Sequence, residues 1–435
     1  MKKRLLLLLL FSALLLIVAC GDSEDEPTSN EGGEQAEETT IRVAWWGDQE
    51  RHDMTLEVIE LFEELNPGIK VQPEYTGWDG YWERLNTQAA GLNLPDVIAM
   101  DVAYLNEYNN NGLVVDLAPL IDEGLIDLSD VDDVYQEMNH DGDRVLAISS
   151  GANAVSLVYN EELLAEHGFD LEPGFTYDDL YKMNLEIKEA IEAEGGENFG
   201  FDFSNSEYEL FQNFARQHDM SFYNAEGNSL GFDEDVLVAY FEWIQKMVED
   251  GAAPSHDIMM SYIEGANSMV QEGTSAAKIG ASNQIIGDQQ GTEHELGLAI
   301  LPSLDDVDVH TNFIRPSMSF LITEHSDNQE IGAKFIDFMT NNLEANEILQ
   351  AERGVPISSV VREHLSDKVS EPVEKTFDFL ELVTEYTKEA DPLSPPGETE
   401  VRGAFSRILE MLKYSQITPE EAASQFMDEA ENILN

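Results

Sequence analysis

Residues 40–101 read TIRVAWWGDQERHDMTLEVIELFEELNPGIKVQPEYTGWDGYWERLNTQAAGLNLPDVIAMD, and this stretch decides the fold. Ile41 to Trp46 is a run of β-branched and aromatic residues ended by Gly47, which predicts a strand. Asp48 stands where a helix N-cap belongs, and Met54, Val58, Leu61, Phe62 and Leu65 then recur at helical spacing. Asn66-Pro67-Gly68 stops that helix. A second strand over Ile69 to Tyr75, a helix around Tyr81 to Ala90 and a third strand over Asp96 to Met100 complete a βαβαβ series. Strand and helix alternating at such short intervals predict a parallel sheet and an α/β fold.

Working outward, the middle of the chain changes character. Arg144 to Ser149 and Ala154 to Tyr159 are strand-like runs flanking Ser150-Gly151-Ala152-Asn153. Long helical patterns follow near 177–194, 206–217 and 234–250. Gly297 to Leu301 and Phe313 to Thr323 are strand-like again, with a polar, Asp-rich turn between them. Near the end, Phe405, Ile408, Leu409 and Leu412 share a helix face, and Thr418-Pro419-Glu420-Glu421 starts a last helix as a capping box with proline at its first position.

The other end carries an export pattern. Lys2, Lys3 and Arg4 precede an apolar run from Leu5 to Ala19, which closes on Ile17-Val18-Ala19-Cys20. That sequence looks like the cleavage and lipidation site of a bacterial lipoprotein. The run falls short of the ~20 residues a membrane-spanning helix needs. Residues 1–19 are therefore read as a signal peptide, and 20–39 as a flexible tether lipid-anchored at Cys20 to the outside of the cell membrane. Cys20 is the only cysteine, so no disulfide is expected to staple the fold.

With 87 acidic against 23 basic residues the formal charge is −64, a field that repels nucleic acid and anionic lipid alike. Hydrophobic content of 42%, with 20 Phe and 14 Tyr, separates the chain from disordered acidic sequences. The acid is spread along the chain and reads as a solvated surface. Against it, any basic residue near a cleft is informative.

In an open parallel sheet, ligands bind beyond the carboxyl ends of the strands. That rule points to Trp45-Trp46-Gly47-Asp48, to Gly77-Trp78-Asp79-Gly80-Tyr81-Trp82, and to Asp101. Four of the five tryptophans lie between 45 and 82. Flat aromatic faces beside Asp and Gly suit a sugar, apolar on its CH faces and hydroxylated at its rim. Trp46, Trp78 and Tyr81 are assigned to the cleft, with Asp48, Asp79 and Asp101 accepting from hydroxyls. Trp45 and Trp82 stay open between core and cleft. Trp243, on a face with Phe241, Ile244 and Met247, is assigned to the core.

The series AWWGDQERHDMTLEVIELFEELNPGIKVQPEYTGWDGYWERL, LPDVIAMD, GLVVDLAPLID, GANAVSLVYNEELL, AILPSLDD, SFLITEHSDNQEIGAKFIDFM and ERGVPISS resembles the family 1 extracellular solute-binding proteins of sugar ABC transporters. It is most similar to the branch that binds pectin-derived, uronate-containing oligosaccharides. The resemblance implies a periplasmic-binding-protein-like (type II) fold of two α/β lobes joined by a hinge, a monomer that hands an oligosaccharide to membrane permease subunits, with no cofactor, no metal and no catalysis. Carried onto this chain, it implies a first lobe of 40–149 plus 305–350 and a second of 150–304 plus 351–435. Ser149 to Asn153 would be a hinge crossing, with Asn153 facing the cleft. Where many members show an aromatic platform, this chain reads Thr274-Ser275-Ala276-Ala277-Lys278, so Lys278 would supply a charged contact instead.

Arg51, Lys278 and Arg315 fall on segments expected near the cleft, which suggests a carboxylate-bearing ligand. Arg51 lies one turn into the first helix, whose N-terminus favours an anion. The alternative is that each pairs with one of the abundant Asp and Glu side chains. Two other functions remain open: a binding protein for a non-sugar solute, and a lipid-anchored glycosidase, which would need two carboxylates at a set distance. A calcium site at Asp130, Asp132 and Asp133 competes with a solvated turn.

Overall fold

The computed structural model describes residues 38–434, apart from 205, 226, 264–266, 306–310, 389–390 and 392–393. The stretches read as signal peptide and tether, with Cys20, lie outside the described residues except for residues 38 and 39. Among the described residues no helix is long and apolar enough to cross a membrane.

The opening series forms as its pattern requires. Strand β1 (Thr39–Trp46) leads to α1 (Gln49–Leu65), capped by Asp48, whose carboxylate accepts from the Arg51 backbone N–H at 3.0 Å. The helix buries His52, Thr55, Val58, Ile59 and Phe62 and ends at Asn66. Gly68, at φ 94°, turns the chain into β2 (Ile69–Thr76). Helix α2 (Trp78–Ala90) then leads to β3 (Val97–Met100) and α3 (Val102–Asn110). Both β2 and β3 pair parallel to β1, as expected of βαβαβ.

Beyond β3 the sheet becomes mixed. Strand β4 (Ile148–Asn160) runs unbroken through the Ser150–Asn153 segment that the sequence sets between two strands. Two short strands, β5 (Ala277–Ala281) and β6 (Leu296–Ala299), precede β7 (Ile314–Ile322). The first half of β4, up to Ala154, pairs antiparallel with β7, which in turn pairs antiparallel with β3. The second half, from Val155, pairs with β5 and β6. The register slips on either side of Gly151, where the Arg353 carbonyl lies 2.5 Å from where a Cβ would stand. Only glycine lets the backbones approach that closely.

Two hydrophobic clusters sit on the two halves of β4, one to each lobe of an α/β periplasmic-binding-protein-like fold. The first gathers buried residues from 41 to 154 and from 314 to 383, together with Ile300; the second gathers residues between 155 and 301 and from 401 to 430. Here the sequence assignment of 351–435 to the second lobe is corrected. Val355, Ile357, Val361, Leu365, Phe377, Leu380 and Val383 pack into the first cluster. The chain therefore passes between clusters within β4, between Leu301 and Ile314, and between Val383 and Val401. The second cluster is dominated by aromatic rings, with Phe201, Phe203, Phe211, Phe222, Tyr240, Phe241 and Phe405 fully buried. Each such ring contributes about 1.5–3 kcal/mol on leaving water. The expected helices form at Tyr177–Ala193, Glu207–Arg216, Glu234–Glu249, Glu398–Lys413 and Pro419–Leu434. Trp243 packs against the second cluster, its ring edge-on to Tyr177.

Candidate functional site

The aromatic corner after β1 and β2 is more deeply packed than its sequence suggests. Trp45 is fully buried, donates its indole N–H to His52 Nδ1 at 3.2 Å and stacks on Tyr75. Trp46, assigned to the cleft, is only 7% exposed, wedged among Trp78, Tyr81 and Trp82 with ring centroids 5.1–5.8 Å away. Tyr81, also assigned to the cleft, is core: its hydroxyl donates to the Ala99 carbonyl at 2.7 Å, and burial pushes the phenol well above its usual pKa. Trp82 is buried against Tyr104. Trp78 is the exception among these four tryptophans, 42% exposed at the start of α2. Asp79 follows it, exposed in the first turn. Asp48 is exposed too, but its carboxylate is engaged as the α1 cap.

Two of the three proposed cations are already paired. Arg51 donates through Nε to Glu352 at 2.8 Å, with Nη2 2.7 Å from the same carboxylate. Lys278 holds Asp288 at 2.6 Å in a largely buried pair. In both cases the alternative weighed from sequence, pairing with an abundant acid, describes the geometry. Arg315 differs: among the described residues it has no ion pair.

Arg315 lines a cavity of about 240 Å³ where β4 passes from one lobe to the other beside the start of β7. It stands opposite Asn153 in the β4–β7 register. The first lobe contributes Asp101, the N-cap of α3, which accepts from the Ala103 N–H at 2.9 Å. The second contributes Ser206, Glu209, Gly280, Ala281 and Gln284. So Asp101, Asn153 and Arg315 converge from among the expected residues, while Trp46, Asp48, Arg51, Trp78, Asp79, Tyr81 and Lys278 do not line this cavity.

The cavity is polar and incompletely satisfied. Asn153 is 7% exposed and its Oδ1 has no hydrogen-bond partner among the described residues. Glu209 binds Arg402 through Oε1 and leaves Oε2 buried and unpartnered. Arg402 in turn lies over the Tyr208 ring, 4.3 Å from its centroid, with Glu398 3.8 Å away. Burial holds the Glu398 carboxyl above its usual pKa despite hydrogen bonds from Tyr223 and Tyr208 and the nearby Arg402 charge. A cavity lined by two residues with unsatisfied acceptors and by a guanidinium that forms no ion pair among the described residues can receive hydroxyl donors and an anionic or carbonyl oxygen. Sequence reasoning missed Ser206, Glu209, Gln284 and Arg402. The helix bearing Glu209 was legible, but its apolar pattern does not report which polar side chain turns to a cavity.

The Asp130–Asp133 turn forms no metal-ligating group: among the described residues no set of three or more His, Cys, Asp or Glu is placed to hold an ion. The Asp130 carbonyl instead accepts from Ser359, and Asp132 lies 4.0 Å from Arg362.

The family model for bacterial extracellular solute-binding proteins matches residues 57–376. Among solved structures, an extracellular solute-binding protein family 1 from Alicyclobacillus acidocaldarius superposes with a TM-score of 0.77 at 25% identity, covering 92% of this chain and 99% of that one. A periplasmic solute-binding protein from Pectobacterium atrosepticum gives 0.79 at 22% identity, over 91% and 98%. A periplasmic oligogalacturonide-binding protein from Yersinia enterocolitica, in complex with saturated digalacturonic acid, gives 0.75 at 23% identity, over 91% and 99%.

Proposed function

This chain belongs to the bacterial extracellular solute-binding protein family, and from that premise we propose that it captures an oligosaccharide outside the cell and delivers it to the permease of an ABC transporter. The observation that carries the reading is the polar cavity at the lobe crossing, where Asp101, Asn153 and Glu209 present acceptors and Arg315 presents an unpaired cation. Trp78, exposed though outside this cavity, would add an apolar platform, since sugar CH faces pack on exposed indole. The lobes would close on the ligand because the closed state makes contacts from both sides. Lipid on Cys20 would keep the protein beside its transporter.

The ligand carries carboxylates in this reading, as uronate oligosaccharides do. The cations that support it have narrowed to Arg315, since Arg51 and Lys278 are tied to Glu352 and Asp288. An anion at Arg315 would neutralise a charge that has no ion pair among the described residues, while the ligand hydroxyls satisfy Asn153 and Glu209. Binding is the expected activity, with recovery of the ligand unchanged.

The test is the melting temperature of the protein against a panel of neutral and uronate oligosaccharides, peptides and cations. A ligand at about one hundred times its Kd stabilises by ~2.7 kcal/mol, which is visible as a shift of several degrees. Small-angle scattering with the stabilising sugar should show a more compact particle. A panel in which only cations or peptides stabilise, or in which the sugar is hydrolysed, refutes the reading.

A further inference from the structure

Beside the cavity at the crossing lies a larger one of about 400 Å³, within the second lobe. It is lined by Ser204, Tyr208, His256, Met259, Arg402 and Ser406 among others. The start of the helix Glu207–Arg216 lines both cavities, Ser206 and Glu209 the smaller, Glu207 and Tyr208 the larger. Glu209 lines the smaller and Arg402 the larger, and the ion pair they form stands between them. The Glu209 side chain is 13% exposed and Arg402 37%, with Arg402 braced over the Tyr208 ring. Thr399, three residues before Arg402 and so on the same face of its helix, lies beside the Tyr104 phenol of the first lobe. That helix face therefore borders the opening between the lobes.

Pockets that enclose a drug-sized ligand run about 300–1,000 Å³. The smaller cavity falls below that range and suits one sugar unit. Resting on the oligosaccharide reading, we propose that this cavity is a blind end that seats the terminal unit of a linear oligosaccharide, with the Glu209–Arg402 pair as its back wall. Glu209 then serves twice. Its Oε2, buried and unpartnered, accepts from a hydroxyl of the terminal unit, while its Oε1 is held by Arg402, a positioning residue that does not itself touch the sugar. Cyclic glycans and chains blocked at that terminus are excluded, because the next unit would have to occupy the space of the ion pair. Removing the Arg402 side chain joins the two cavities and lets the chain continue into the larger one.

The experiment is calorimetric titration of the protein with a linear uronate tetramer and its neutral counterpart, each unblocked, blocked at the reducing end and blocked at the non-reducing end. One of the two blocked forms should bind the parent at least about tenfold more weakly than the unblocked chain. In Arg402→Met that penalty should shrink to about twofold, while Arg402→Lys, which keeps a cation for Glu209, should retain it. Should Arg402→Met not fold, Glu209→Ala opens the wall from the other side and should likewise abolish the discrimination, at lower affinity for every form. Equal binding of all three forms by the parent overturns the blind end while leaving oligosaccharide capture intact. An unchanged penalty in both wall-opening variants overturns the role of the pair. Failure of every unblocked chain to bind would refute oligosaccharide capture itself, and the blind end with it.

Discussion

Replacing Arg315 by glutamine separates charge recognition from hydroxyl recognition. A hydrogen bond between a charged donor and a carboxylate contributes about 1.5–3 kcal/mol, or roughly ten- to hundredfold in affinity. Asp101 and Glu209 line the same cavity and oppose a bound anion, so the lower end of that range, about tenfold, is expected here. The substitution costs the fold little, because Arg315 forms no ion pair among the described residues that its loss would break. Isothermal titration of parent and Arg315→Gln with a uronate oligomer and its neutral counterpart should show the acidic ligand weakened about tenfold and the neutral one changed less than about twofold. Salt adds an independent signature. The net charge of −64 repels an acidic ligand over distances that salt screens, with a Debye length of ~10 Å at 0.1 M, whereas the contact at Arg315 is short and screened less. Parental affinity for the acidic ligand should therefore hold or rise as salt is added from a low level. Equal losses for both ligands, or an unaltered acidic ligand, would refute carboxylate recognition by Arg315.

Other perturbations separate core from cleft. Trp78→Ala should weaken sugar binding by about 1–2 kcal/mol, as truncated aromatic anchors do, with less than about 1 kcal/mol lost in denaturant unfolding. Trp46→Ala should instead cost about 3–5 kcal/mol of stability, read from the same unfolding curves. Asp288→Ala strands the Lys278 ammonium in a largely buried setting and should cost about 3–5 kcal/mol, while adding Lys278→Met should restore much of it; equal stability of single and double variants would contradict the pairing. Burial raises the carboxyl pKa of Asp202, Asp391 and Glu398, so the folded state binds their protons more tightly than the unfolded chain does. Stability then falls as pH rises from the ordinary carboxyl range, about 4, through the raised folded values, and it returns as pH is lowered. The melting temperature should accordingly climb as pH is lowered from neutral towards the ordinary carboxyl range, about 4, more steeply in the parent than in Glu398→Gln; parallel profiles would remove Glu398 from the account.

The elements that were legible are those whose burial follows from local periodicity. Strand β1, helix α1 and strand β2 are punctuated by Gly47, Asp48 and Asn66-Pro67-Gly68, and each faces a partner close by in sequence. The C-terminal half was not legible in the same way, although its helices were. Phe377, Leu380 and Val383 recur at helical spacing just as Phe405, Ile408 and Leu412 do, yet one set enters the first core and the other the second. A helical stripe records that a face is buried and says nothing of which core receives it. The tryptophans failed for a related reason. Residues 43–46 are all buried, because both faces of β1 are covered at its end, so alternation could not tell Trp46 from a residue open to the cleft. The charged contacts are the most distant of all: Arg51 meets Glu352, Lys278 meets Asp288 and Glu209 meets Arg402, 193 residues on. With nearly four acids for every base, a carboxylate partner is the expected fate of any cation, so position near a predicted cleft could not distinguish Arg51 and Lys278 from Arg315. What distinguishes Arg315 is the geometry of the crossing. On β7 it stands opposite Asn153, and the carboxylates that line the same cavity are engaged elsewhere, Asp101 at the cap of α3 and Glu209 through Oε1 with Arg402. Among the described residues the fold leaves this cation without an ion pair at a cavity that both lobes line, and a ligand able to supply its missing partner would be favoured there for that reason.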